Sequence, residues 1–214
     1  MAEFRQLYPW ALEPVRHRID RNAAQERAKV YRDHFRFVRA ERQAEFCPPW
    51  VLGQELGWQV RSPVDVTLGP LPQIEITADA PLAEDGLRAG GMSELWVREA
   101  AAVAVDRTNW LHLYQFRGRG EGWENMFVPN GGGTVEWRQG WAVALPDTYS
   151  LLILPLEQTP ELGVQTGVLP PASLRRMAEG AGFSLPISPT GAVAVTRGQP
   201  IARIVALHPD SLKE

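Results

Sequence analysis

The N-terminal quarter of the chain carries a clear helical pattern. From position 22 to position 45 there is neither glycine nor proline, and the apolar residues Val30, Tyr31, Phe35 and Val38 recur at helical spacing. The pattern predicts an amphipathic helix of about six turns over positions 22–45, which ends before the two prolines at positions 48 and 49. Because an isolated helix gains little stability without packing, this apolar stripe must be covered by the body of the chain or by another subunit, and we expect the body to cover it.

After the two prolines the pattern changes to short apolar runs separated by glycine and proline. These runs are rich in β-branched and aromatic residues, and turn signals recur every ~8–12 residues, as in β-sandwiches and barrels. The predicted strands cover positions 59–61, 64–68, 74–77, 95–97, 103–105, 110–116, 134–137, 142–145, 151–154, 193–196 and 201–207. The Asn-Gly-Gly-Gly run at positions 130–133 predicts a hairpin turn. One short helix is expected from Pro171 to about Glu179, followed by Gly180.

Composition and charge narrow the class of protein. The chain has 214 residues, of which 44% are hydrophobic, so it can bury a sizeable core. A net charge of -3 argues against a bulk binder of polyanions. The only cysteine, Cys47, excludes an intramolecular disulfide. Apolar runs fall far short of the ~20 residues that span a bilayer, so we expect a cytoplasmic protein without a membrane partner.

The charge is unevenly distributed along the chain. Positions 14–46 carry nine basic and five acidic residues, whereas the residues after position 46 carry 12 basic and 18 acidic ones. The chain therefore divides into a basic helical arm, residues 1–46, and an acidic β-rich domain, residues 47–214. The arm is either a helix with a solvated arginine face or a contact surface for a partner or nucleic acid, through Arg32, Arg36 and Arg39.

Motifs for metal binding or catalysis are missing from the sequence. The four histidines, at positions 17, 34, 112 and 208, are scattered without ligand spacing, and no nucleophile elbow occurs. We interpret His112 as a histidine within a strand. The glycine-rich run at positions 118–122 lacks the lysine of a phosphate loop, so we interpret it as a loop between strands. We expect no metal, no cofactor and no catalytic residue, and the eight tryptophans are expected in the core or at an interface.

The C-terminal third adds a family resemblance. It contains Trp141-Ala-Val-Ala-Leu-Pro-Asp-Thr-Tyr-Ser-Leu-Leu-Ile-Leu-Pro155, then Gly163-Val-Gln-Thr-Gly-Val-Leu169, and Arg197-Gly-Gln-Pro-Ile-Ala-Arg-Ile-Val-Ala-Leu207. This order resembles the dUTPase and dCTP deaminase superfamily over residues 135–207. The resemblance implies a mainly β fold, a distorted barrel of the β-clip type, with the long N-terminal helix and the short later helix added. It also implies a homotrimer, with the interface built from late strands such as 201–207.

The catalytic residues of that superfamily are not matched. Where the hydrolases have an arginine-serine pair for phosphates, this chain has Leu156-Glu157-Gln158, and a carboxylate repels phosphate. Where they have the aspartate that positions water, it has Leu169-Pro170-Pro171. The deaminases' glutamate has no match before Glu179, and no glycine-rich C-terminal lid is present. The resemblance thus implies a scaffold without the activity.

Two functions of different classes follow. The first is a non-catalytic oligomeric assembly or binding protein, including a virion-associated structural component of a phage-like or multisubunit particle. The alternative is an enzyme or sensor for a nucleotide-like ligand, a relative of the pyrophosphohydrolases and deaminases, in which Gln165, Arg175, Arg176 or Arg203 contacts the ligand. Those arginines could equally be surface residues. Nucleic-acid contact through the basic arm is a third hypothesis.

Overall fold

The computed structural model describes residues 2–35, 44–76, 87, 91–98, 101–106, 110–120 and 122–213, and this part of the chain is mainly β. Its strands are β1 (Glu3–Gln6), β2 (Trp58–Arg61), β3 (Val66–Leu68), β4 (Gln73–Ile76), β5 (Glu94–Arg98), β6 (Ala101–Val105), β7 (Gln115–Arg117), β8 (Trp123–Asn125), β9 (Phe127–Gly131), β10 (Thr134–Arg138), β11 (Trp141–Ala144), β12 (Ser150–Pro155), β13 (Gly167–Leu169), β14 (Ser184–Ile187), β15 (Val193–Val195) and β16 (Pro200–Leu207). Its α-helices are α1 (Arg21–His34), α2 (Pro48–Glu55) and α3 (Pro171–Glu179), and its 3-10 helices are Ala44–Phe46, Pro160–Leu162 and Pro209–Leu212.

The strands form several small antiparallel sheets. The four-stranded sheet has the order β13-β12-β16-β2, and Leu152 of β12 lies opposite Val205 of β16. Two three-stranded sheets have the orders β14-β10-β9 and β4-β6-β5, and the remaining pairs are β1-β11, β15-β3 and β7-β8. The β-rich architecture predicted from short, turn-separated runs is confirmed, while its closure into a barrel of the β-clip type stays a prediction.

One hydrophobic core joins these sheets. Strand β10 alternates as a half-buried strand should, with Val135 and Trp137 fully buried and their neighbours only partly so. Trp141 of β11 stacks on Phe183, with the ring centroids 4.4 Å apart. Strand β1 was not predicted, yet it pairs with β11, and Phe4 packs edge-on against Trp141. The division of the chain at residue 46 stays a prediction, although β1, which lies within the predicted arm, packs against the core of the β-rich domain.

The glycine-rich hairpin is confirmed. Gly131, Gly132 and Gly133 have φ angles of 80°, 57° and 75°, which residues with a Cβ rarely adopt, and they connect β9 to β10. The Gly132 amide donates to the Glu75 carboxylate of β4 at 2.6 Å. The turn therefore also contributes a contact between the β14-β10-β9 sheet and the β4-β6-β5 sheet. The short helix predicted from Pro171 is confirmed as α3, which ends at Glu179 before Gly180.

The strand predicted at 110–116 is wrong over most of its length. Residues 110–113 form a turn, and only the last two positions of the predicted range belong to β7, which begins at Gln115. Trp110 and Leu111 are both buried at the turn, whereas His112 and Tyr114 are half-buried, so the burial does not alternate as in a strand and His112 is a turn residue.

The predicted six-turn helix is not seen. Helix α1 has 14 residues, Phe35 lies beyond its end, and Arg36, Val38 and Arg39 lie outside the described residues. The two prolines at positions 48 and 49 do not only stop a helix: they begin α2, because the first turn needs no amide donors.

The apolar stripe predicted on this helix is largely exposed to solvent in the described part of the protein, and is not buried against the body as expected. Val30 is 56% exposed and Phe35 is 58% exposed, and of the described side chains on α1 only that of Ala24 is buried. Since helices draw most of their stability from packing, a helix with one buried position gains little from the body.

An aromatic cluster lies just after strand β1. Tyr8 stacks on Trp10, with centroids 5.4 Å apart, and both rings contact Phe116. Burial, and secondarily the charge of Glu124, raises the pKa of the Tyr8 hydroxyl above its usual 10.0.

We predict that Tyr8→Phe flattens the loss of stability at alkaline pH. Below pH 10 the Tyr8 hydroxyl is protonated in both the folded and the unfolded chain, so its contribution is complete. Above pH 10 the unfolded chain loses the proton first, so stability falls as the pH rises through the folded-state pKa. Urea unfolding at several pH values from 8 to 11 should give a shallower decline for the variant than for the wild type. Parallel declines would contradict this role of Tyr8.

Candidate functional site

A small cleft lies where the ends of β12 and β16 meet α2. Its volume is about 100 Å³, and it is lined by Gln54, Leu154, Pro155, Leu156, Glu157, Gln158 and Arg203. This is the position at which the resemblance would place phosphate-binding residues, just after the proline that ends β12. The cleft also contains one of the predicted ligand residues, Arg203.

Arg203 is engaged by the protein itself. It lies in β16 opposite Leu154, and its Nη1 donates to the Gly53 carbonyl at 2.7 Å. Its Nη2 donates to the Gln54 Oε1 atom at 3.3 Å. A cation beside the last turn of a helix satisfies carbonyls that lack an intrahelical partner and interacts favourably with the helix dipole. Arg203 thus links α2 to the four-stranded sheet through two hydrogen bonds.

The size and charge of the cleft limit what it can bind. A water molecule takes ~30 Å³ of liquid, and pockets for small molecules are typically ~300–1,000 Å³. At about 100 Å³, the cleft formed by this single chain is smaller than such pockets. The exposed Glu157 adds a carboxylate to its wall, which opposes a phosphate.

The other predicted ligand residues lie elsewhere. Gln165 precedes β13, and its side-chain amide donates to the Gly163 carbonyl at 3.0 Å. Arg175 and Arg176 are exposed on α3, which packs against β11, whereas Arg203 lies in the sheet of β12 and β16. No hydrogen bond within the described part of the chain joins two of these four side chains, and their contact with a ligand stays a prediction.

The arm is tied to α2 at a carboxylate. Glu55 accepts hydrogen bonds from the Ile19 amide and from Arg18 Nη1, both at 3.0 Å. The bond from the Ile19 amide, and to a smaller degree Arg18, holds the pKa of Glu55 below its usual value. Arg32, the described member of the predicted arginine set, is exposed and lines a shallow groove of about 420 Å³ with Lys29 and Phe46.

One polar cluster was missed by the sequence reading. His112 Nε2 lies 2.7 Å from the Glu94 carboxylate, and the tilted Trp96 ring is 5.8 Å from the imidazole. Eighteen residues separate the two members of the pair, so no local spacing indicates it. A carboxylate beside an imidazole orients the ring, but among the described residues no group of three or more histidine, cysteine and acidic side chains could hold a metal ion.

The glycine-rich run at 118–122 is confirmed as a loop between strands. The Gly118 amide donates to the Gly122 carbonyl at 3.0 Å, and the loop connects β7 to β8 in a hairpin. No helix N-terminus follows it, so the backbone geometry of a phosphate loop is not formed.

Comparisons with known proteins complete the description. No family model matches the chain, and no curated protein matches it. Among solved structures, a mutant dUTPase from phage phi11 of S. aureus matches with a TM-score of 0.41 and 10% identity, covering 97% of this chain and 90% of that chain. At 10% identity the match assigns no role to any residue of this chain. Within the described residues, no helix is both long and apolar enough to cross a membrane.

Proposed function

We propose that this protein is a non-catalytic assembly protein, in which a second copy of the chain packs on the helical layer formed by α1, the 3-10 helix Ala44–Phe46 and α2. The observation that carries the proposal is the exposure of apolar side chains on this layer. A structural role in a phage-like or other multisubunit particle fits the proposal.

The helical layer presents an apolar surface. Of the described large hydrophobic side chains that are exposed, six lie on or directly beside it: Val30, Phe35, Phe46, Trp50, Leu52 and Leu56. Leu52 is 71% exposed and Leu56, four positions later, is 55% exposed, whereas Val51 alone among the α2 residues is buried. Apolar patches of this kind on a folded chain are typical of interaction surfaces.

Charge supports a second copy of the chain as the occupant. Positions 14–46 carry a surplus of basic residues, and the rest of the chain carries a surplus of acidic ones. Two copies that place the arm of one against the body of the other would bring opposite charges together, which favours encounter and fixes orientation.

The late strand that the resemblance suggested as an interface is occupied within one chain. Strand β16 is hydrogen-bonded on both edges, to β12 and to β2. Its residues Ile201, Ala202 and Ile204 are fully buried in the chain's own core. A trimer interface on β16 would have only the partly exposed Pro200, Arg203, Ala206 and Leu207 to use, so we place the interface on the helical layer instead.

The cleft beside Arg203 supports the non-catalytic part of the proposal. Its arginine donates to α2, its volume of about 100 Å³ is below the ~300–1,000 Å³ that is typical of small-molecule pockets, and Glu157 adds a carboxylate that opposes a phosphate. No feature of this cleft favours the alternative, a nucleotide-binding enzyme or sensor.

We predict that the double variant Leu52→Glu, Leu56→Glu breaks the oligomer. Burying two carboxylates in an apolar contact costs several kcal/mol, so the dissociation constant of the oligomer should rise by at least about a hundredfold. Light scattering after size exclusion should show an oligomer for the wild type and a monomer for the variant. Circular dichroism should show both folded, because both side chains are exposed.

Leu212→Glu is the matched control, because Leu212 is 49% exposed and lies on the 3-10 helix Pro209–Leu212, which is not one of the three elements of the helical layer. It should keep the oligomer. A monomeric wild type at micromolar concentration would overturn the proposed assembly. Turnover of dUTP or dCTP above background in the presence of magnesium would overturn the non-catalytic part.

A further inference from the structure

The outer face of the β7–β8 hairpin carries an exposed tryptophan among polar side chains. Arg117 lies opposite Trp123 in the register, and Gln115 lies opposite Asn125. Trp123 is 66% exposed, and the Arg117 guanidinium carbon is 5.9 Å from its ring centroid. The pair between them, which faces inward, contains the buried Phe116. The strand geometry thus places an indole, a guanidinium and two amides on one face.

The hairpin loop connects this face to α3. Arg119 Nη1 donates to the carbonyls of Ala178 and Glu179, at 3.1 and 3.3 Å. These carbonyls end the helix, so the guanidinium satisfies groups that have no intrahelical partner. Arg175 and Arg176, both exposed, lie about one turn earlier on the same helix. The loop therefore contacts the C-terminal end of α3, about one turn from Arg175 and Arg176.

By sequence, the β7–β8 hairpin and α3 together carry four arginines and three glutamates, a net charge of +1. Among the described residues of the hairpin and α3, the basic ones are Arg117, Arg119, Arg175 and Arg176. Of the two described acidic ones, Glu124 pairs with Arg138 at 2.7 Å, which leaves Glu179 as the other carboxylate. A positive patch on a chain of net charge -3 is a local feature, and it fits a local anionic partner.

We propose that this surface, formed by the β7–β8 hairpin and α3, binds single-stranded nucleic acid. A base stacks on the Trp123 ring, and the arginines of the hairpin and α3 contact the phosphates on either side. Stacking on an aromatic side chain requires a base that is not already paired and stacked in a duplex, which selects a single strand. The surface is separate from the helical layer, so this inference does not rest on the proposed assembly.

Fluorescence anisotropy of labelled 20-nucleotide oligo-dT and oligo-U, titrated with the full chain, tests the inference and separates DNA from RNA. At 50 mM salt the wild type should bind at least one of them saturably. Trp123→Ala should weaken binding by about tenfold, since stacking contributes ~1–3 kcal/mol per base. Trp123→Phe, which keeps an aromatic face, should restore most of the affinity.

The arginines of α3 are tested by salt dependence. The double variant Arg175→Gln, Arg176→Gln should reduce the slope of log affinity against log salt by about 1.4, because each contact with a single-strand phosphate contributes ~0.7. Lys213→Gln, a change at an exposed position just after the 3-10 helix Pro209–Leu212, is the control and should leave both affinity and slope unchanged. Arg32→Gln tests the arm as the alternative contact.

Three results would overturn the inference. The first is no binding of either oligonucleotide at 50 mM salt. The second is weaker binding by Arg32→Gln with no effect of Trp123→Ala, which would assign the contact to the arm. The third is competition by a polyglutamate peptide as strong as that by unlabelled oligonucleotide, which would make this an acidic-peptide surface. The oligomeric state of each variant, measured in parallel, keeps the outcome independent of the proposed assembly.

Discussion

Gly57→Ala is expected to destabilise the fold by about 3 kcal/mol or more. Gly57 has a φ of 74°, in a region where a residue with a Cβ is strained by about 1–2 kcal/mol. A Cβ built on it would also lie 2.1 Å from the Ile204 carbonyl oxygen and 2.9 Å from Cγ2 of Val205. Because the first contact is with backbone, relief requires a shift of β16 itself, and overpacking of this kind costs about 1–3 kcal/mol more.

The position of Gly57 explains why the effect should be large. It joins the end of α2 to the start of β2, and β2 pairs directly with β16. A displacement there disturbs the four-stranded sheet. It also disturbs the contact between this sheet and α2, because Arg203 of β16 donates to the Gly53 carbonyl. One methyl group would thus act on the core and on the helical layer together.

Gly53→Ala is the matched control for this experiment. Gly53 lies within α2, and a Cβ there would meet no atom within 4 Å. Alanine is the better helix former by about 1 kcal/mol, so this change should stabilise the protein slightly. Urea unfolding of both variants should therefore move the midpoints in opposite directions. Equal midpoints would show that the close approach of Gly57 to β16 does not make glycine necessary at this position.

Local pattern predicted several strands that bury apolar residues, but it missed two others, β9 and β14, and it failed where tertiary contact decides. Strand β12 was visible as an apolar run, because its pattern needs only its own residues. Strand β1 reads Glu-Phe-Arg-Gln, three of its four residues are exposed, and only its pairing with β11 makes it a strand. Propensity is weak evidence at such a position, since the partner strand supplies the stabilisation.

Helix prediction failed for a related reason. The absence of glycine and proline over 22–45 permits a long helix but does not require one, because helices are stabilised mainly by packing. Only Ala24 is a buried side chain among those described on α1, so the body contributes little to extending it. The paired prolines were read as an end, and the beginning of α2 was overlooked.

The candidate site shows the same limit at longer range. Arg203 could be named from the sequence as a candidate, but its partners in α2 lie about 150 positions away. Whether a guanidinium contacts a ligand or a helix end depends on that distant partner, and no spacing within the chain encodes it. The Glu94 and His112 pair was missed because the range 110–116 was taken for a strand, whereas a turn carries the histidine.

The eight tryptophans look equivalent in the sequence, and the structure separates them into core and surface. Trp141 is fully buried, stacks on Phe183 and touches Phe4, so it joins β11 to β1 and to the segment before β14. Trp123 is 66% exposed on the hairpin face. The same residue type therefore serves packing in one place and is open to a ligand in the other.

Trp141→Ala is accordingly expected to cost about 3–5 kcal/mol, the range for large-to-small changes of aromatic residues in a core. Much of a typical domain's stability of ~5–15 kcal/mol would be lost, so Trp141→Phe, which keeps a ring against Phe183, serves as the milder second variant. Trp123→Ala should leave the unfolding midpoint nearly unchanged, because its side chain is mostly in water already. Chemical unfolding of the three variants beside the wild type measures the difference. If Trp123→Ala destabilised the protein as much as Trp141→Ala, the hairpin face would be part of the core, and its tryptophan would not be open to a base.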